Sequence, residues 1–320
     1  MVCMRIIEKN LDSFNLPTIS TESFTLLDIE TSGFNRVTDT IIIVGLLEKL
    51  NSGLKITQFL AESPAEEYQL LEALSQREFH QLYTYNGTQF DLPFLEKKYH
   101  LHRLNNPFTK NHVDFYPKIK ADQDILPCSS LKQSALEEWI GLSRPKDIPS
   151  HEIPRLYYES LKHPENKLLD PILDHNSYDL IGLYHLLHFE SYLQEWMTYK
   201  DASLSFSLNK PSQHEDWLTL SGRLLAFDKP LISINRYEEY YQFQLDASTG
   251  HFQYKFLSKE YAVEKNTFLR VTDLRALGLN QLSLENNLHL PNHIMPLKYH
   301  KKYLISNLKL LMAYALQQFS

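Results

Sequence analysis

The chain has 320 residues and carries 32 Lys+Arg against 39 Asp+Glu, a formal charge of −7; that length fits two domains, or one large one with extensions. Apolar residues at 43% and aromatics at 12% suffice for a real core and exclude wholesale disorder, while 9 glycines and 22% charged residues argue against a low-complexity or coiled-coil chain. Cys3 and Cys128 form no CxxC, so neither a disulfide scaffold nor a cysteine zinc site is expected, and no run of 18 apolar residues offers a membrane span.

The front half reads as mixed α/β. Phe24–Ile29 is a short apolar run and Thr40–Leu47 a β-branched one, both expected strands. Leu54–Leu60 follows Asn51-Ser52-Gly53, a good hairpin turn, so three antiparallel strands come first. Pro64–Phe79 has helical spacing, with Glu66 and Glu67 suited to its start. Gln81–Tyr85 is a fourth strand, and Phe90–Tyr99 a helix that holds Pro93 in its first turn. Leu131–Ile140 is a helix ended by Gly141, and Ser177–Phe189 another, with Asn176 as its N-cap. A boundary is expected near the polar segment Lys200–Gln213. Beyond it, Leu231–Ile234, Tyr240–Leu245 and Phe252–Leu257 look like strands, with a turn at residues 246–250 and a closing helix at Tyr303–Phe319.

Charge divides unevenly. Residues 1–200 hold 19 Lys+Arg and 28 Asp+Glu; residues 201–320 hold 13 and 11. An acidic front half argues against a strong, sequence-independent nucleic-acid binder. It is compatible with an enzyme whose acids are balanced by metal cations. The opening MVCMRIIEKNLDSF interleaves charges with apolar residues and lacks a signal peptide's apolar core, so the expected location is cytoplasmic, away from membranes.

Three short segments carry the chemistry. In Asp28-Ile29-Glu30-Thr31-Ser32-Gly33, period-2 geometry puts Asp28 and Glu30 on one face of a strand end. Two such carboxylates repel unless a cation lies between them. Tyr85-Asn86-Gly87-Thr88-Gln89-Phe90-Asp91 sets an acid just inside a helix start. In His175-Asn176-Ser177-Tyr178-Asp179, the histidine and the last acid are one helical turn apart. Singly, each has a bland reading: solvated acids, dipole compensation or a cap. Together they offer four hard-oxygen ligands, Asp28, Glu30, Asp91 and Asp179, which suit Mg²⁺ or Mn²⁺. Two such ions about 3.5–4 Å apart can activate a water and stabilise the leaving oxygen in phosphodiester cleavage.

In this order the motifs resemble the DEDD (DnaQ-like) 3′→5′ exonuclease superfamily and, within it, the YprB-like ribonuclease H-like family. DIETSG is similar to the first exonuclease motif, YNGTQFDLPFL to the second and HNSYD to the third; Asp147-Ile148-Pro149 with Pro154 and Tyr157 resembles a stretch the family carries before its last motif. The likeness spans about residues 24–190. It implies a ribonuclease H-like α/β fold, a five-stranded mixed sheet flanked by helices, in a domain of residues 1–200. A smaller β-rich α+β domain of residues 201–320 follows. It further implies two Mg²⁺ or Mn²⁺ ions on Asp28, Glu30, Asp91 and Asp179, and His175 as general base. Thr31, Asn86 and Phe90 would form the pocket for a single-stranded DNA or RNA end. Two departures stand out. The third motif is His-x3-Asp, where the histidine type has His-x4-Asp and the tyrosine type Tyr-x3-Asp, and Ser150 stands where glycine is usual.

Other features read more weakly. Lys97, Lys98, Arg103, Lys110, Lys118 and Lys120 form a basic stretch that would suit either a phosphate-tracking edge or a solvated loop, and Arg144 and Lys146 are placed to touch a phosphate. Asp114 reads as a turn residue ahead of a fifth active-site acid. The aromatics between Tyr237 and Phe256 read as hairpin core ahead of base-stacking. The leading expectation is a metal-dependent 3′→5′ exonuclease. The alternatives are a catalytically weak nucleic-acid-binding or interaction module on the same fold and, below it, an endonuclease of ribonuclease H type.

Overall fold

A computed structural model of the chain describes residues 4–11, 23–50, 53–79, 81–108, 111–279 and 290–319. Cys3 and the Asn51-Ser52 part of the expected turn lie outside them. The chain divides into two compact units: residues 1–120 with 128–189, and residues 121–127 with 190–320.

The first unit is built on a mixed sheet of six strands: β1 (Arg5–Asn10), β2 (Thr25–Thr31), β3 (Ile41–Leu50), β4 (Gly53–Leu60), β5 (Leu82–Thr84) and β6 (His112–Asp114), in the order β1-β4-β3-β2-β5-β6. β2, β3, β4 and β1 pair antiparallel; β5 and β6 join β2 in parallel. Three antiparallel strands followed by parallel additions is the expected ribonuclease H-like arrangement. The sixth strand, β1, lies on the outer edge with almost every residue exposed, so it carries no apolar alternation to reveal it.

The helices are α1 (Glu67–Ser75), α2 (Asp91–His102), α3 (Phe115–Ala121), α4 (Gln133–Trp139), α5 (Ile153–Ser160) and α6 (Asp170–Leu186). α1 is shorter than Pro64–Phe79 because a 3₁₀ turn at Pro64–Glu66 precedes it and regular helix ends at Ser75. α6 corrects a larger error. It starts at Asp170, not Ser177, with a proline in its first turn, so Asn176 is no N-cap but a fully buried residue of its interior. The sheet is covered on both faces. Ile41, Val44 and Leu46 of β3 pack with Leu70 of α1 and Phe94 of α2, whereas Ile42 and Ile43 pack with Ile153 of α5 and Ile172 of α6. Burial on both sides explains why β3 reads as a continuous apolar run.

The second unit opens with α7 (Phe189–Met197) and holds two antiparallel sheets. The first contains β7 (Thr198–Lys200), β8 (Leu204–Leu208), β9 (Ser212–His214), β10 (Trp217–Phe227), β11 (Ile234–Tyr237), β12 (Tyr241–Leu245) and β13 (His251–Leu257). The second contains β14 (Lys259–Glu264), β15 (Thr267–Asp273), β16 (Ile294–Tyr299) and β17 (Lys302–Tyr303). α8 (Ile305–Phe319) closes the unit. The unit's main segment starts at Glu190, ahead of the expected boundary, residues 121–127 of the expected first domain also belong to it, and the polar Lys200–Gln213 stretch is no linker. Leu204, Phe206 and Leu208 alternate inward along β8, and only the outward residues between them are polar. The strand expected at Leu231–Ile234 lies at Ile234–Tyr237, and Leu231 and Ile232 are exposed. Of the rear aromatics, Tyr237 and Tyr240 are exposed; Tyr241, Phe243, Phe252, Tyr254 and Phe256 are buried core. Among the described residues no helix is long and apolar enough to cross a membrane.

Candidate active site

The acids are gathered by the middle of the first unit. Asp28 and Glu30 leave β2 on one face, at a point where the pairing with β3 shifts register between Glu30 and Thr31. Asp91 is the first residue of α2, and its carboxylate accepts the backbone N–H of Ile29 at 3.1 Å, which ties that helix end to β2 between the two acids. His175, Asn176 and Asp179 come from α6, which crosses the sheet. Its close approach depends on Gly45, the β3 partner of Asp28: a Cβ there would stand 2.1 Å from Asn176 Oδ1. Without that side chain in the way, Asn176 Nδ2 donates to Asp28 Oδ2 at 2.8 Å, while its Oδ1 accepts from Gln58 Nε2 at 2.9 Å.

Two clefts meet here. The larger, of about 1030 Å³, takes in Glu30, Thr31, Phe90, Arg144, His175 and Asp179; the smaller, of about 470 Å³, takes in Asp28, Tyr85 and Tyr116; Asn86, Lys132, Gln133 and Asp179 line both. Crowding of like charges is severe. Burial first, then the charges of Asp179 and Asp91, raise the Asp28 carboxyl well above the usual range, against the Asn176 hydrogen bond. Burial and the charges of Asp28, Asp179, Asp91 and Asp147 do the same to Glu30. Burial pushes Asp91 up to about 7 although the Ile29 N–H opposes it. The carboxylates repel one another, and among the described residues Arg144 pairs with Asp179 alone of the four. Glu30 is 8% exposed, and among the described residues no hydrogen bond or ion pair reaches its carboxylate. Ligand atoms of Glu30, His175 and Asp179 lie within 4.8 Å of one another. Such a donor set fits a divalent cation, the species that would relieve the repulsion.

The residues around the acids divide into those expected and those not. Thr31 is buried beside the cleft and donates Oγ1–H to the Gly33 carbonyl at 2.7 Å. Asn86, at φ +60, and Phe90 flank the turn before α2. Asp114 holds that turn: it accepts the N–H of Asn86 at 2.8 Å, of Thr88 at 3.0 Å and of Tyr116 at 3.0 Å, a structural acid as expected. The basic stretch is less available than its composition suggested, because Lys98 is buried in an ion pair with Glu67. Arg144 does not present its donors to a phosphate. It is bidentate to the buried Glu137, meets Asp179 Oδ1 at 2.7 Å and reaches Asp147 Oδ2 at 3.2 Å.

Four contributions went unread in the sequence. Asp147 Oδ1 lies 2.7 Å from His175 Nδ1, and Ser150 Oγ lies 3.3 Å from His175 Nε2. Asn176 acts on Asp28 rather than on a helix end. Phe34, 88% exposed at the rim, stands edge-on to Phe90 with centroids 6.0 Å apart. An aromatic directly after the Asp28–Gly33 motif was the available signal for Phe34. For Asp147 it was only its place in the quoted DIP stretch.

Comparison with known proteins agrees with this architecture. The profile described as RNase_H superfamily matches residues 25–190, which takes in both acids of β2, Asp91 and Asp179. A curated relative, the uncharacterized protein YprB of Bacillus subtilis, is 28% identical over 167 residues, covering 50% of this chain; the chain spans 40% of that protein. Among solved structures, the family B DNA polymerase of the archaeon Pyrobaculum calidifontis is 13% identical with a TM-score of 0.42, covering 60% of this chain and 29% of that one. The metal-free E. coli exonuclease I–single-stranded DNA complex is 10% identical with a TM-score of 0.31, covering 63% and 54%. With the family profile covering more than half of its length and every element that brings the acids together, the chain belongs to the RNase H superfamily.

Proposed function

We propose that the first unit is a divalent-cation-dependent nuclease, a 3′→5′ exonuclease acting on a single-stranded DNA or RNA end. The observation that carries this reading is that Asp28, Glu30, Asp91 and Asp179, from three distant segments, lie close enough for their charges to repel, with Asp28, Glu30 and Asp179 lining two adjoining clefts. Divalent ions held by these acids would supply activation of water and stabilisation of the leaving oxygen in phosphodiester hydrolysis. The chain's own part is to seat the end of the strand. The exposed Phe34 ring, with Phe90 beneath it, offers a face on which a base can stack, worth about 1–3 kcal/mol per base. Asn86, Thr31 and the ammonium of Lys132 line the same cleft. The 3′→5′ polarity follows the exonuclease resemblance. The resemblance implies His175 as general base; its Nδ1 lies 2.7 Å from Asp147 and its Nε2 3.3 Å from Asp179.

The test is degradation of a 5′-labelled single-stranded oligonucleotide by the full chain with Mg²⁺ or Mn²⁺. Stepwise shortening from the 3′ end is expected, and Asp28→Asn or Asp179→Asn should lower the rate by at least about 10²-fold with the fold intact, more than loss of a residue that only supports a ligand. Shifted but uncut oligonucleotide, cleavage of circular strands, or full activity in excess chelator overturns the proposal.

A further inference from the structure

We infer that His175 is a metal ligand: Nε2, with the carboxylates of Glu30 and Asp179, forms a site for a single first-row divalent transition ion such as Mn²⁺ in preference to Mg²⁺. This rests on the reading of the cleft as a divalent-cation site and changes what its histidine does there. The ring is 5% exposed, and it is locked from behind. Asp147 Oδ1, 2.7 Å from Nδ1, can only accept a hydrogen bond there, and in the tautomer that supplies it the Nε2 lone pair faces forward. Asp147 is itself held by Arg144 at 3.2 Å. A carboxylate behind one ring nitrogen and an open lone pair on the other is the arrangement by which proteins orient a ligating histidine.

What lies ahead of Nε2 points the same way. Asp179 Oδ2 is 3.3 Å away, and a ligand oxygen of Glu30 falls within the same 4.8 Å cluster. A lone pair facing two carboxylates is repulsive, and the hydrogen-bond partner it has among the described residues is the Ser150 hydroxyl, at a long 3.3 Å. The Glu30 carboxylate, more than nine-tenths buried, has no partner of its own among the described residues. A cation seated between the three groups answers all of this at once. Oxygen ligands alone serve Mg²⁺ well; an imidazole nitrogen among them shifts preference toward transition ions. His-x3-Asp spacing also gains a physical sense, because residues one turn apart on α6 direct both donors to one point.

The competing arrangement is a doubly protonated ring bridging Asp147 and Asp179, which would keep a cation off Nε2. Metal-free full-length protein loaded with one equivalent of Mn²⁺ and measured by electron spin echo envelope modulation separates the two. Expected is a directly bound nitrogen signal in the wild type that is lost in His175→Gln. In calorimetric titrations, His175→Gln and Asp147→Asn should each weaken Mn²⁺ binding by about tenfold or more, with a smaller effect on Mg²⁺. Wild-type protein that binds Mn²⁺ without a nitrogen signal overturns the inference, as does a signal that survives in His175→Gln. Should His175→Gln fail to fold, Asp147→Asn decides, and unchanged Mn²⁺ affinity in it is a negative result. Activity is not the readout. Nitrogen-ligated Mn²⁺ in a protein that cuts nothing rejects the nuclease reading alone; cleavage without the nitrogen signal rejects the ligand assignment alone.

Discussion

The two units bury very different things. In the first, Glu30, Glu67, Asp91, Lys98, Glu137, His175 and Asn176 are all nearly inaccessible, whereas among the described residues of the second only Arg270 is a buried charge, with Ser258 and Thr272 as its buried polar company. The second unit's interior is instead aromatic and aliphatic, with Phe319 of α8 stacked 5.3 Å from Tyr241 and packed on Phe243 and Tyr254. Burying a charge costs several kcal/mol unless it is paired. A unit that keeps so many depends on the pairing of charges, and a unit that keeps one is organised around packing.

The sharpest way to break that contrast is to make the same substitution in both halves. Arg144→Met leaves Glu137, which is 2% exposed, without its bidentate partner, and also strips Asp147 and Asp179 of theirs. A loss of about 3–5 kcal/mol is expected in urea unfolding. A smaller but more telling effect concerns pH. Asp91 keeps its proton in the folded state up to about pH 7, whereas an unfolded aspartate releases it near pH 4. The folded state therefore binds more protons between those values, and this group's stability contribution is full below about pH 4 and lost as pH rises through about 7. In chelator at pH 8, Asp91→Asn should thus be more stable than the wild type by about 1–3 kcal/mol, with the difference shrinking toward pH 5 in thermal melts; added Mn²⁺ should reverse it by stabilising only the wild type. The smallest effect belongs to the second unit. Arg270→Met keeps the volume and removes a guanidinium whose acids, Asp216 at 4.0 Å and Glu260 at 3.6 Å, remain in water. A change within about 1 kcal/mol is expected, and a loss as large as that of Arg144→Met would erase the distinction between the halves.

What the sequence disclosed follows from the same contrast. Asp28, Glu30, Asp91 and Asp179 were legible only together: each segment alone has a bland reading, and it is their order along the chain that resembles the exonuclease motifs. Asp147 and Arg144 were not, because they sit between α4 and α5 where neither period 2 nor period 3.6 applies, and their links to His175 and Asp179 span 28 and 35 residues. Asn176 was misplaced because asparagine is a good N-cap, and the prior favoured starting the helix there; the Asp170-Pro171 pair was the better start signal. β1 left no trace because an exposed edge strand needs no apolar face. In the second unit the turn at residues 246–250 was plain: Asp246 accepts from the Ser248 N–H and Gly250 takes φ +70.

Gly45 sits in the middle of β3 with nothing reactive on it, yet it sets how near a helix can come to the strand that bears Asp28. A methyl group added there would press on an amide that is braced from its far side by Gln58, so the strain would be relayed to the Asp28 carboxylate rather than dissipated in solvent. A Gly45→Ala substitution would therefore disturb the surroundings of Asp28 while leaving every acidic side chain in the chain intact.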